Sequence, residues 1–298
     1  MKKNQLVLGA HMSIAGGYEQ AIIRAEVIGC TALQIFTKSN RQWAAKPLTA
    51  EQAQLFKKTL QESSTIKSTM VHASYLINLG STDKAIAQKS VAGLIEELRR
   101  CQALEIPFLV LHPGAYAHST LIESMSLISQ NLNYIFEHDA GTTMILLENS
   151  AGQGSSVGST FEELRTIYDG VENKKRIGFC FDTCHGFAAG YDFRTPTTYE
   201  ALWKHFDDIL GLKNLKAFHF NDSSKDLNCH VDRHAHIGKG KIGLEAFSLL
   251  MNDHRFFSIP KILETPKVTE NLEQDFVNLT TLKNLLSKET KELLHIEE

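Results

Sequence analysis

The 298-residue chain is poor in the features that mark non-globular proteins. It has 6 prolines and 19 glycines beside a hydrophobic fraction of 43%, which excludes a collagen-like, disordered or purely coiled-coil chain. No apolar run approaches the roughly 18 residues that a membrane-spanning helix needs. The net charge of −3 argues against a protein coated in positive charge, but it leaves room for a local basic face.

Cysteine is also scarce. The five cysteines are odd in number and irregularly spaced, which argues against a disulfide scaffold and favours a reduced, cytoplasmic setting. No linker, repeat or low-complexity stretch divides the chain. We therefore expect one domain over residues 1–288 with a charged C-terminal tail over 289–298, and we expect the chain to fray from Ser287 on. We also expect a monomer.

Short apolar runs alternate along the chain with longer segments that have the period of about 3.6 residues typical of helices. Strands are predicted at 5–11, 32–37, 69–73, 107–112, 144–148, 177–182, 215–220 and 260–264. Helices are predicted at 17–29, 49–63, 82–104, 121–138, 160–171, 197–210, 243–256 and 269–288. The strands are apolar almost throughout, as parallel strands covered on both faces should be. Eight βα units in series predict an α/β fold, a single-domain (β/α)8 TIM barrel.

Residues of metal-ligating type stand at the C-terminal ends of six successive predicted strands, where a TIM barrel carries its chemistry. These residues are His72, His112, Glu148, Asp182, His219 and Glu264. Three more join them. His185 follows Asp182 into a loop, while Asp232 and His234 are spaced by two, which puts their side chains on one side of an extended segment.

Together these five histidines and four carboxylates exceed the three or four ligands of one zinc ion. We therefore expect two or three clustered metal ions that share a bridging carboxylate. Imidazole-rich ligation favours Zn²⁺, with Mn²⁺ as a substitute, whereas Mg²⁺ prefers oxygen. Without cations the four carboxylates would repel one another, and with three divalent ions the mouth becomes slightly cationic, which suits hydrolysis of a phosphate diester.

Longer stretches of the chain carry a family resemblance that runs nearly from end to end. The most specific are His72–Gly80, Gly178–His185 and Val231–His234, supported by Phe36–Trp43, His112–Gly114 and Glu148–Gly154. In these stretches the chain resembles endonuclease IV, the zinc-dependent family of abasic-site (AP) endonucleases in base-excision repair. The resemblance implies cleavage of double-stranded DNA on the 5′ side of an abasic site, and trimming of blocked 3′ ends as a phosphodiesterase and phosphatase.

The resemblance also implies that three zinc ions are held by the nine residues. It assigns His72 and His112 to the first ion, with Glu148 bridging to the second, Asp182, His219 and Glu264 to the second, and His185, Asp232 and His234 to the third. Glu148 would also be catalytic, because it would orient or deprotonate the attacking nucleophile.

Basic and aromatic residues follow the strands on the same rim, among them Lys38, Arg41 and Trp43 after the second strand. Such cations can bind phosphates without reading sequence. By the resemblance, Arg41, Tyr75 and Leu76 are wedges that enter the DNA minor groove at the damaged step. DNA is then the partner, and neither a membrane nor an obligate protein partner is implied.

One run departs from the family pattern. Between His219 and Asp232 the lysine, Lys225, stands one position late and a usual glycine is missing. The spacing of the two flanking ligands is kept, so we expect the metal ligands to survive.

Two alternatives stay open. A metal-dependent sugar isomerase or epimerase would use the same kind of barrel, but the third ligand group and the Arg41 loop argue against it. A non-catalytic protein that binds metal or DNA is the other. His11 ends the first strand and faces the same mouth, and it suits a ligand and an outer hydrogen-bonding residue equally well, so it is left outside the ligand set.

Overall fold

The structure is a computed structural model that describes residues 5–267 and 272–296. Eight parallel strands close into a barrel, which confirms the predicted fold. The barrel strands are β1 (Leu8–Met12), β2 (Ala32–Ile35), β3 (Ser68–His72), β4 (Phe108–Leu111), β5 (Met144–Glu148), β6 (Ile177–Asp182), β7 (Leu215–His219) and β10 (Lys261–Leu263). Around the barrel they follow the order β1-β10-β7-β6-β5-β4-β3-β2. A separate antiparallel pair, β8 (Asp222–Ser223) and β9 (His234–Ala235), follows β7.

Helices surround the barrel, except for the short α6 (Thr183–Ala188), which lies at its mouth. They are α1 (Tyr18–Val27), α2 (Ala50–Glu62), α3 (Lys84–Leu104), α4 (Leu121–His138), α5 (Phe161–Gly170), α6 (Thr183–Ala188), α7 (Pro196–Ile209), α8 (Leu244–Asn252), α9 (Glu273–Asn284) and α10 (Lys288–Leu294). Several start at a threonine or aspartate whose side chain accepts a hydrogen bond from the first turn. Thr49, for example, forms a capping box with Gln52 at the start of α2.

The core has two layers. One lies between the strands and the helices, and the other fills the barrel interior. The interior layer consists of Val7, Ala32, Met70, Val110, Leu146, Cys180, Ala217 and Ile262. Because these side chains plug the barrel, polar chemistry is confined to its C-terminal mouth.

The C-terminal region differs from the expectation of fraying. Ser287 caps α10, its Oγ accepting from the backbone N–H of Thr290 at 3.1 Å, and Leu294 is buried in the core cluster. The predicted boundary between 288 and 289 falls inside this helix. The helix predicted over 269–288 is α9, which begins at Glu273, and residues 269–271 lie outside the described residues.

The pattern of apolar residues did not predict two further elements, the short helix α6 and the β8–β9 pair. Both lie at the mouth, in a stretch that reads as loop because it carries polar and ligand-type residues. Among the helices of the described residues, none has the length and apolar character needed to cross a membrane.

Candidate metal centre and nucleic-acid interface

Glu148, at the end of β5, lies at the centre of the barrel mouth and is buried. Its Oε2 lies 3.3 Å from His72 Nε2 and 3.2 Å from His112 Nε2. Its Oε1 lies 3.0 Å from His219 Nδ1 and 3.2 Å from His185 Nδ1. One carboxylate therefore contacts four imidazoles, an arrangement that suits a ligand shared between metal ions.

A second group of ligands surrounds His219, at the end of β7. His219 Nδ1 lies 3.2 Å from Glu264 Oε2 and 3.9 Å from Asp182 Oδ2. Ligand atoms of these three residues and of Glu148 all lie within 4.8 Å of one another. This is the set predicted to surround the second ion.

A third group is assembled by α6 and the β8–β9 pair. His185 Nε2 lies 3.3 Å from Asp232 Oδ2, and His234 Nε2 lies 3.3 Å from Asp232 Oδ1. The backbone N–H of His185 donates to Asp182 Oδ1 at 2.8 Å, so the cap of α6 fixes where its histidine stands. All nine predicted ligands thus meet at one mouth.

Backbone carbonyls hold three of these imidazole rings. His72 Nδ1 lies 2.7 Å from the carbonyl of Ala73, His185 Nδ1 lies 3.0 Å from that of Asn149, and His234 Nδ1 lies 3.1 Å from that of Glu264. Because a carbonyl only accepts, each Nδ1 carries a proton, which leaves each Nε2 as the nitrogen that can bind a metal ion. Such outer contacts are how proteins orient metal-binding histidines.

Three buried atoms of this mouth have no hydrogen-bond partner among the described residues: His72 Nε2, Glu148 Oε2 and His234 Nε2. Leaving a buried polar atom unpaired costs about 1–3 kcal/mol, so native proteins rarely do so. Here the unpaired atoms are of metal-ligating type and face other ligand atoms of the cluster. The residues present therefore fit divalent metal ions.

The pKa values of three carboxylates of the mouth are lowered, which favours their ionised forms. Burial opposes this, but the imidazoles of His219 and His112 hold the pKa of Glu148 well below its usual value. Burial likewise opposes ionisation of Asp232, yet its bond to His185 helps lower its pKa to about 2. The pKa of Glu264 is also lowered, against burial, by His219. Ionised carboxylates accept without donating, as metal ligands must.

The pattern of ligands did not reveal the amides that hold the mouth together. Asn221 Nδ2 donates to Asp182 Oδ2 at 2.7 Å, and its Oδ1 accepts from the backbone N–H of Glu264 at 2.9 Å. Asn149 Oδ1 accepts from the backbone N–H of Asp182 at 2.7 Å. Their signal in the sequence is position, because each follows a ligand-bearing strand end by one or two residues.

The run that departs from the family pattern is anchored by Asp222, whose buried carboxylate accepts four backbone hydrogen bonds. The donors are the N–H groups of Ser223, Gly238, Gly240 and Ile242. Lys225 is exposed on this loop. Asp232 and His234 still reach the mouth, as expected from their kept spacing.

The residues predicted to contact DNA lie on the loops after β2 and β3. Arg41 is exposed, Leu76 is half-buried and the Tyr75 side chain is 55% exposed. The Tyr75 ring lies 5.2 Å from the ring of His72 and 5.6 Å from that of His112, measured between centroids. Tyr75 therefore lies at the edge of the ligand cluster, and a groove of about 930 Å³ lined by Arg41, Tyr75 and Glu264 runs beside it.

The loop that carries Arg41 rests on a buried polar network. Arg100, on α3, donates to the carbonyls of Thr37 at 3.1 Å and Lys46 at 2.6 Å. Lys38 Nζ lies 3.5 Å from Glu97 Oε1, and both side chains are buried. These contacts fix the loop at both ends, so its exposed cation is presented from a rigid support.

Comparison with known proteins places these features in a family. The family model described as a xylose isomerase-like TIM barrel matches residues 22–282. The chain is 47% identical to the probable endonuclease 4 of Chloroflexus aggregans, over 93% of this chain and 97% of that protein. It is also 47% identical to the probable endonuclease 4 of Geotalea daltonii, over 94% of this chain and 98% of that protein.

Solved structures agree. The endonuclease IV of Thermus thermophilus matches with a TM-score of 0.81 and 32% identity, over 93% of this chain and 98% of that one. A D-tagatose 3-epimerase-like protein matches with a TM-score of 0.68 at 19% identity, over 97% of this chain and 98% of that one. The second likeness shows the shared barrel alone.

Proposed function

The chain belongs to the endonuclease IV family, and we propose that it is a DNA-repair endonuclease that hydrolyses the phosphodiester bond 5′ to an abasic site in double-stranded DNA. We propose trimming of blocked 3′ ends as a second activity of the same site. The observation that carries the proposal is the cluster of nine carboxylate and imidazole side chains, of which the buried Glu148 is the centre.

We propose that three zinc ions occupy the cluster, with Mn²⁺ as a substitute. Their ligands would be His72, His112 and Glu148 for the first, Glu148, Asp182, His219 and Glu264 for the second, and His185, Asp232 and His234 for the third. The contacts within the second and third groups support this division. When bound, such ions supply electrostatic stabilisation for the negative charge that develops on the reacting phosphate.

Glu148 has two roles in this proposal. It is shared between ligand groups, and it is the general base. Its Oε2 is buried and without a hydrogen-bond partner among the described residues, and the pKa of its carboxyl is lowered. This oxygen can accept a proton from a water molecule as the water oxygen bonds to phosphorus and the P–O3′ bond breaks, and the departing 3′ oxygen takes up a proton to become the 3′-hydroxyl. Burial keeps bulk water away from this oxygen and strengthens its electrostatic interactions.

We propose that Arg41, Tyr75 and Leu76 recognise the damaged step. Tyr75 is exposed, and its ring lies at the edge of the ligand cluster. If this ring is inserted into the duplex, it would therefore lie next to the reacting phosphate. Unstacking a base step costs a few kcal/mol and costs least where a base is missing. Damage itself then selects the site, and no base-specific contact is needed.

The proposal extends to the setting of the protein. We propose a cytoplasmic enzyme that acts without an obligate protein partner. In support, no disulfide joins any of the five cysteines, all of which lie in the described part of the chain. This fits a reducing compartment.

The test uses the purified protein and a duplex with one abasic site, with and without a strong chelator. We expect incision 5′ to the site, loss of incision with the chelator, recovery with zinc, and about three zinc ions per chain by metal analysis. Absence of chelator-sensitive incision would refute the proposal. In that case turnover of a ketose would indicate an isomerase or epimerase, and a zinc content near three with neither activity would indicate a non-catalytic binding protein.

A further inference from the structure

Gln34 is a buried polar residue in β2, which is otherwise apolar. Its side-chain amide contacts three groups of the barrel mouth. Gln34 Oε1 lies 2.9 Å from His219 Nε2. Gln34 Nε2 lies 2.5 Å from Glu264 Oε1 and 3.0 Å from His11 Nδ1. Every polar atom of the amide is therefore used.

Acceptor chemistry fixes which way this amide faces. The Glu264 carboxylate only accepts, so the amide atom beside it must be the nitrogen. The oxygen of the amide then faces His219 Nε2, and because an amide oxygen also only accepts, that ring nitrogen must carry the proton. His219 Nδ1 faces two carboxylate oxygens, Glu148 Oε1 at 3.0 Å and Glu264 Oε2 at 3.2 Å. Since Nε2 keeps its proton for the Gln34 oxygen, Nδ1 is the nitrogen left to coordinate a metal ion held between these oxygens.

The same amide binds only one of the two carboxylate oxygens of Glu264, and it also contacts the ring of His11. It binds Oε1 of Glu264 and leaves Oε2 to the ligand cluster. The second amide hydrogen points at His11 Nδ1, so this ring nitrogen is an acceptor already in use. His11 also belongs to none of the groups of neighbouring ligand atoms found among the described residues, which supports the outer of the two roles that its position in the sequence left open.

We propose that Gln34 is a positioning residue of the metal centre, which sets the tautomer of His219 and holds Glu264 so that both present their free donor atoms to the same ion. The inference rests on the metal centre of the proposed function and not on the identity of the DNA substrate. A carboxylate or hydroxyl at position 34 would not reproduce it, because one amide here donates twice and accepts once.

The first test needs no substitution at position 34. Long-range ¹H–¹⁵N NMR of the zinc-loaded protein shows which ring nitrogen of each histidine carries the proton, and the His219 ring is assigned from the signal lost in His219→Gln. We expect His219 to carry its proton on Nε2. A ring protonated on Nδ1 would overturn the inference.

The second test compares Gln34→Met with Gln102→Met. Gln102 lies in the last turn of α3, far from the mouth. Its side-chain amide also donates to a carboxylate, that of Asp139, with Nε2 2.5 Å from Oδ1. We expect Gln34→Met to weaken the affinity for one zinc ion by about tenfold or more, measured by competition with a chromophoric chelator, because outer contacts of metal ligands typically have this weight. Gln102→Met should bind zinc within about twofold of the unsubstituted protein.

Equal zinc affinity in both variants would refute the inference. If Gln34→Met does not fold, as judged by circular dichroism, the NMR measurement on the unsubstituted protein decides alone. Neither readout involves DNA. Failure of the proposed function, seen as no abasic incision by the unsubstituted protein, is therefore separate from failure of this inference.

Discussion

The two ends of the barrel differ in how far their buried polar and charged groups are hydrogen-bonded. At the N-terminal end, Arg176 donates to the carbonyl of Thr143 at 2.8 Å and to Asp139 Oδ2 at 2.7 Å. Lys261 Nζ donates to two backbone carbonyls, at 2.6 and 2.9 Å. Each charge at this end is held by partners within the protein, as stability requires.

At the C-terminal mouth the buried groups are closer together and less satisfied. His72 Nε2, Glu148 Oε2 and His234 Nε2 lack hydrogen-bond partners within the described ranges. A closed network serves the fold, whereas unpaired lone pairs are available for a ligand. Substitutions at the two ends should therefore separate stability from activity.

The largest expected effect comes from Glu148→Gln. Removing the proposed general base and shared ligand should lower single-turnover incision of an abasic duplex by about 10³-fold or more, while DNA binding stays measurable. Asp139→Asn is the matched control, because it removes a buried carboxylate at the other end. It should keep the incision rate per folded molecule and lower the free energy of unfolding by about 3 kcal/mol, since it breaks a buried ion pair.

Measurements on these two variants can contradict the proposed division between a structural end and a catalytic end of the barrel. Near-normal incision by Glu148→Gln would exclude its central role. A loss of incision in Asp139→Asn equal to its loss of folded protein would agree with a structural role, but a larger loss would show that the two ends are coupled.

A smaller effect is expected at the rim. Tyr75→Ala should weaken binding to an abasic duplex by about tenfold, because stacking on an aromatic ring is worth about 1–3 kcal/mol. Zinc content should not change, since Tyr75 adjoins the ligand rings without coordinating. Fluorescence anisotropy and metal analysis on the same sample check both. Parallel loss of binding and of zinc would contradict the wedge role.

The smallest effect concerns Lys261. Burial lowers the pKa of its ammonium group to about 7, and in the unfolded chain the pKa is about 10.4. Between these values the unfolded state binds more protons, so the stability from this residue rises with pH. Relative to Lys261→Met, the unsubstituted protein should gain about 1 kcal/mol of unfolding free energy between pH 7.5 and 8.5. A difference that is flat with pH, by urea unfolding, would contradict this account.

The barrel was predictable because its signals are local. Apolar runs such as Met144–Glu148 and threonine caps such as Thr49 report on their own neighbourhood. The short helix α6 was missed because Thr183–Ala188 is too brief to show a helical period. The helix at Lys288–Leu294 was missed because its composition is mostly charged and only Thr290 and Leu294 are buried in it.

The sequence by itself determined which carboxylate and imidazole residues would meet at the mouth. In a parallel barrel all strands run the same way, so ligand-type residues at successive strand ends must share one rim. Tertiary structure alone decided how they meet. Gln34, His219 and Glu264 are far apart in the chain, and which nitrogen of His219 is free depends on a contact that exists only when the barrel closes. Hydrogen-bond direction depends on ångström-scale placement, which a pattern of residue types does not encode.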